Sequence, residues 1–158
     1  MKRTFLVAAA LLVGAAFSDA QTMSYGTSIT ADAAKKIAAP AIAEARRNNW
    51  TMAIAIVDIA GELVYFERMD DVQIGSVDVA ISKARSAARF KRPTKAFQDA
   101  LAAGGEGLRI LALDGAIPVE GGVLLMQGGK IVGAIGASGG TSPQDGVVAA
   151  AGAAALGK

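Results

Sequence analysis

The chain has 158 residues, enough for about one domain and too few for two independent cores. It contains no cysteine and no histidine, which excludes disulfides, thiolate and imidazole metal ligands, and serine triads that use histidine. The 16 Lys and Arg against 14 Asp and Glu leave a formal charge of +2, too balanced for a nucleic-acid or anionic-membrane footprint.

Residues 1–20 read as a secretory signal peptide. Lys2-Arg3 is a basic head, Phe5 to Phe17 an unbroken apolar run, and Ser18-Asp19-Ala20 the small-x-small pattern that a signal peptidase cuts after. The run of 13 residues is too short to cross a bilayer of roughly 30 Å as a helix. Cleavage is expected near Ala20-Gln21, leaving residues 21–158 as a single exported domain, periplasmic or secreted. Losing Lys2, Arg3 and Asp19 takes the charge from +2 to +1.

Gln21 to Ser28 has no period and is expected to fray or to order only on docking. A helix follows Thr30, its cap, with Asp32 in the first turn and Arg46-Arg47 in the last, charges that agree with the helix dipole. Ala34, Ile37, Ala38, Ala41, Ile42 and Ala45 recur at helical spacing, and Pro40 is expected to bend or split the helix. Met52 to Ile59 and Leu63 to Met69 read as an antiparallel pair joined by Ala60-Gly61-Glu62. Asp70-Asp71 is a turn. Ser76 to Phe90 forms a second helix, capped by Ser76, with Val77, Ala80, Ile81, Ala84 and Ala88 as its buried stripe. Lys83 and Arg85 flank that stripe, and the long stem of Lys83 is expected to carry its ammonium out to water. Arg92-Pro93 stops the helix. Thr94 caps a shorter one over Lys95 to Ala102, and Leu108 to Leu113 fits either a strand or a helical turn.

The most informative stretch is Glu120 to Leu156. Gly122–Gln127 and Lys130–Ala137 are apolar runs joined by Gly128-Gly129, a dipeptide that tolerates positive φ at both positions, so they form a hairpin. Ile131, Gly133, Ile135 and Ala137 share one face of the second strand and Val132, Ala134 and Gly136 the other. Neither face is polar, so both must be covered. Ser142-Pro143-Gln144-Asp145 then opens a helix with a hydroxyl cap, an early proline and a carboxylate. These elements make an α/β (α+β) domain with helices on both faces of a sheet.

Chemistry is sparser. The glycine pairs lack the lysine and the βαβ setting of a nucleotide site. Lys83, Tyr65 and Glu120 are the candidate proton-handling residues, since burial shifts lysine and carboxyl groups toward useful pKa values. Lys83, Arg85, Arg89 and Arg92 form a basic cluster able to pair with carboxylates. Ser138 and Gly139 precede a helix whose free N–H groups suit a small anion. Glu67, Met69 and Met126 are the remaining polar or soft groups, and no metal site is expected.

VDIAGELVYFERMDDVQIGSVDVAISKARSAARFKRPTKAF, followed by GGVLLMQGGKIVGAIGASGGTSPQD, resembles the GlcG/HbpS family of haem-binding-protein-like domains. It is also similar to the domain that follows some corrinoid adenosyltransferases. The resemblance implies a profilin-like fold with a central antiparallel sheet of about five strands and helices on both faces. It further implies homo-oligomers, dimers or larger rings. Secreted members look like haem binders that contact a membrane sensor kinase. Many relatives have histidine just before the RMD motif, where this chain carries Glu67, so no axial ligand is carried over.

Three functions follow as expectations. The first is a secreted or periplasmic protein binding haem or another flat anionic molecule. The second is a metal-free isomerase, lyase or decarboxylating enzyme acting on a small carboxylic acid, aromatic acids included. The third is a structural or sensor-partner protein without a small ligand.

Overall fold

The computed structural model describes residues 23–157, so the expected signal peptide and its cleavage point lie outside the described residues. In chain order the elements are helix α1 (Ala31–Arg47), strands β1 (Ala53–Val57) and β2 (Leu63–Arg68), helices α2 (Ser76–Phe90) and α3 (Thr94–Ala102), a 3-10 helix (Gly105–Ala112), strands β3 (Gly122–Gln127) and β4 (Lys130–Ser138), and helix α4 (Ser142–Ala153). The strands form one antiparallel sheet in the order β2-β1-β4-β3. Among the described residues the sheet therefore has four strands rather than about five. What resembles a fifth is a single parallel bridge from Tyr25 to Ile131. Gly26 and Ile29 donate to Ile131 O and Val132 O at 2.8 and 2.7 Å, so of the two expectations for this segment, fraying or order on docking, the structure shows it docked where β4 runs past the end of β1.

Helices cover both faces, as the apolar strands required. Ile54 and Ile56 stand opposite Ala137 and Ile135 on one face, packed under α1 and α4. Ala53, Ala55, Val57 and Ala134 form the other face under the alanines of α2. Alternation along a strand sends neighbours to opposite faces, which is why β1 is buried along its whole length. Small residues set the spacing of the second layer. A Cβ on Gly136 would lie 2.1 Å from Ala80 O and 2.6 Å from Ala84 N, so α2 sits directly on the backbone of β4.

Several local expectations change in three dimensions. Helix α1 runs unbroken through Pro40. The missing N–H leaves the carbonyl of Lys36 without its helical partner, and Lys36 is exposed to water. Thr30 caps α1 as expected, accepting from Ala33 N–H at 3.3 Å. The other three caps each fall one residue earlier: Gly75 precedes α2, Pro93 precedes α3 and Thr141 precedes α4. The displaced hydroxyls do tertiary work instead. Thr94 Oγ1 accepts from Gly122 N–H at 2.9 Å, and Ser76 Oγ accepts from Ser138 Oγ at 3.1 Å. At α4, Gln144 reaches back to Thr141 N–H at 2.9 Å. The ambiguous leucine segment belongs to the 3-10 helix, and Leu108 and Leu111 on it are exposed. Gly128 and Gly129 take φ of 56° and 74°, as the two-residue hairpin demands.

Candidate functional site

The basic residues of α2 are separated by the fold into an interior group and a surface group. Lys83 does not reach water: it is 1% exposed, and its stem passes the start of β3 toward α4. There Lys83 Nζ donates to Asp145 Oδ2 at 2.7 Å and to Ala137 O at 3.3 Å. Gly121 and Gly122 make the passage possible, since a Cβ on Gly121 would stand 2.9 Å from Nζ and one on Gly122 2.4 Å from Lys83 O. Burial wins over snorkelling because a carboxylate waits at the end of the stem, and a buried ammonium is tolerated when it is paired and hydrogen-bonded.

Asp145 is the partner that the sequence did not point to. It reads there as a first-turn acid, but its Oδ1 accepts from Gly140 N–H at 3.0 Å while Oδ2 holds Lys83. Burial pushes its carboxyl pKa up, opposed by Lys83 and by the N–H groups of Gly140 and Gly139. The N–H groups beside Ser138 and Gly139 thus do hold a carboxylate, and it is the chain's own. Ser138 itself is buried against Ser76.

Glu120 lies on the far side of the same turn. Its carboxyl packs over Gly146, where a Cβ would be 2.5 Å from Oε1, and its backbone N–H donates to Gln98 Oε1 at 2.8 Å. The fold thus brings Lys83 and Glu120 to neighbouring residues of α4. Tyr65 is elsewhere, on edge strand β2 facing the α1 side, where its hydroxyl donates to Glu67 Oε2 at 3.0 Å. That bond to a carboxylate, with burial second, raises the phenol pKa above its usual value.

Arg85 and Arg89 are one turn apart on α2 and stay together. Arg85 Nε donates to Gly61 O at 3.0 Å and Arg89 Nε to Ala60 O at 2.8 Å. The β1–β2 turn is shaped for this contact: Asp58 Oδ1 accepts from Ala60 and Glu62 N–H at 2.9 and 2.8 Å, and Gly61 takes φ +86° directly over the arginine stems. Glu62 adds a side-chain carboxylate 3.0 Å from Arg89 Nη2 and 3.9 Å from Arg85 Nη2.

The two arginines also line a cavity of about 320 Å³ with Ser82, Phe90, Asp114, Gly115 and Ile117. Ser86 anchors the opposite wall by accepting from Ile117 N–H at 3.0 Å. Arg92 is not part of this cavity. It is exposed, donates to Phe90 O at 3.2 Å and stacks 5.4 Å from the centre of the Phe97 ring. Of the six expected ligand-binding residues, then, Arg85 and Arg89 share a pocket. Lys83 joins Ser138 and Gly139 around the Asp145 turn, and Arg92 stands apart. Sequence reasoning missed Ser82 and Asp114 in the pocket and Glu62 beside it. Ser82 lies three residues before Arg85 on α2, whereas Asp114 is far from both in the chain and only the fold brings it beside them.

The four-stranded antiparallel sheet sandwiched between helices makes this a profilin-like α/β domain. Residues 29–154 match the family described as haem degrading protein HbpS-like, and the chain belongs to that GlcG/HbpS family. Protein GlcG of Escherichia coli strain K12 is 37% identical over 95 residues, covering 60% of this chain and 69% of GlcG. A crystal structure of a Streptomyces reticuli HbpS double mutant is similar at a TM-score of 0.77 and 27% identity, covering 99% of this chain and all of that one. The crystal structure of a PduOC:heme complex is similar at a TM-score of 0.74 and 25% identity, covering 83% of this chain and 96% of that one.

Proposed function

We propose that the protein binds a small anionic molecule in the cavity beside α2, with Arg85 and Arg89 meeting its carboxylate groups. The observation that carries this is the pairing of two guanidinium groups on one wall of a cavity of about 320 Å³ whose other lining includes Phe90 and Ile117. A guanidinium fork matches carboxylate geometry, and an apolar wall beside it suits a flat hydrocarbon body.

Haem is the ligand that the PduOC relative points to, and its two propionates would match the two arginines. The lining offers nothing for its iron: the chain has no histidine or cysteine, and among the described residues no tyrosine, methionine or lysine lines the cavity. These residues fit the anionic edge of haem and do not fit its metal. The iron-free porphyrin is therefore expected to bind as well as hemin.

Export from the cytoplasm, a homo-oligomeric assembly and a membrane sensor as partner complete the proposal. Leu108, Leu111 and Leu113 are exposed on and just after the 3-10 helix, which gives self-association an apolar contact. The metal-free enzyme is supported less, because the Nζ of Lys83, its best candidate, is engaged by Asp145 and Ala137 O.

Titration of the mature protein with hemin and with protoporphyrin IX, followed by Trp50 fluorescence, tests the pocket. Saturation at about one ligand per chain for both, lost in the Arg85→Ala/Arg89→Ala double variant, is the expected result. Saturation that the double variant leaves unchanged, or none with either compound, overturns the proposal.

A further inference from the structure

The two pocket arginines already hold a carboxylate, and it belongs to the protein. Glu62 bonds Arg89 at 3.0 Å and stands 3.9 Å from Arg85, yet its side chain is 65% exposed. The backbone of the same turn holds the arginines independently of that carboxylate. Both Nε groups are fixed by the carbonyls of Gly61 and Ala60, and the turn is closed by Asp58 rather than by the Glu62 side chain. Removing the Glu62 charge therefore leaves the guanidinium groups positioned and frees their outer N–H groups.

We propose that Glu62 is a built-in counter-ion that competes with the ligand's carboxylate for Arg85 and Arg89, and so sets the affinity and the charge selectivity of the pocket. It rests on the anion pocket proposed above. An exposed ion pair is weak, so a ligand carboxylate can displace Glu62 at little cost. In the resting protein the same pair neutralises the arginines against adventitious anions. The selectivity follows from the arithmetic of charge: a ligand with a single weakly held carboxylate gains little over Glu62, whereas one presenting two carboxylates engages both arginines at once and wins. Asp114, on the pocket lining, adds to the penalty for an anion that does not use both cations.

The test compares wild type with Glu62→Gln, which keeps the length and hydrogen-bonding shape of the side chain and removes its charge. Protoporphyrin IX serves as the dicarboxylate probe and benzoate as the monocarboxylate, with dissociation constants measured by calorimetry at fixed ionic strength. Tightening of about twofold to fivefold for protoporphyrin, with a detectable gain for benzoate, is the expected outcome, being the fold-change of a surface ion pair. Damage to the turn would weaken binding, so a gain in affinity is a readout that loss of structure cannot produce. Binding that is unchanged or weaker in Glu62→Gln overturns the competition while leaving the pocket standing. No saturable binding to either protein overturns both.

Discussion

Lys83 on α2 and Asp145 on α4 are joined by a 2.7 Å ion pair, both side chains almost fully buried, although their helices lie on opposite faces of the sheet. The pair passes the end of the sheet at Gly121-Gly122 and is the polar pin between the two layers. Removing one partner of such a pair strands the other charge. Lys83→Ala or Asp145→Ala should cost about 3–5 kcal/mol in urea unfolding, while Lys83→Met combined with Asp145→Leu should recover much of that loss. A double-variant loss equal to the sum of the two single losses would deny the coupling.

Gly136 carries α2 on its bare backbone. Gly136→Ala places a methyl group 2.1 Å from Ala80 O, and neither backbone can give way without opening the layer. A loss of about 1–3 kcal/mol is expected, with a lower midpoint of thermal unfolding as the measurement. The exposed Gly128 and Gly129 positions have nothing within 4 Å, so any effect of substitution there comes from the positive φ alone.

Tyr65 predicts a dependence on alkaline pH. Its folded pKa is raised above 10.0 by the bond to Glu67, so the folded state holds the phenol proton more tightly than the unfolded chain does. That contribution is fully present below about pH 10 and is lost as pH rises through the raised value. Tyr65→Phe should remove this part of the alkaline slope in stability, measured as unfolding midpoints across that range. A slope identical to wild type would show that the bond does not hold in solution.

Leu111 is 70% exposed on the 3-10 helix. Leu111→Glu should lower the mass of the purified protein in sedimentation equilibrium if the leucine surface joins subunits, and should leave the unfolding midpoint of the dissociated chain near its original value.

Export makes a chemical prediction of its own. The protein recovered from a secreting bacterial host should begin at Gln21 by intact mass. Retention of Met1 would refute the leader assigned to residues 1–20.

The layers of this fold are legible in the sequence because they rest on patterns. The two glycine-turn hairpins, the alanine stripe of α2 and the apolar run Ile131 to Ala137 of β4 each dictate a local structure that the packing does not overrule. The resemblance to GlcG/HbpS proteins supplied what the patterns could not, the profilin-like arrangement, and the match over residues 29–154 bears it out. What the sequence hides is pairing over distance. Lys83 and Asp145 are 62 residues apart, and a lysine on the margin of an apolar stripe reads as a snorkelling side chain until its partner is placed. Ser76, Thr94 and Ser142 look like caps because hydroxyls favour helix starts, yet Ser76 and Thr94 are taken by strand partners that no local window contains. Arg85 and Arg89 stand out in the sequence only as members of a basic cluster with Lys83 and Arg92. The pocket they line needed the turn after the 3-10 helix to supply its other wall.

Strand β4 receives the N-terminal segment at Ile131 and Val132, pairs with β1 through its second half, and ends just before the loop that seats Asp145. The earliest described residues and the Lys83 ammonium therefore both wait for sequence made more than halfway through synthesis. Contacts of such long span form late and slowly. Under the export proposed above, this order would keep the sheet from closing before most of the polypeptide has been made.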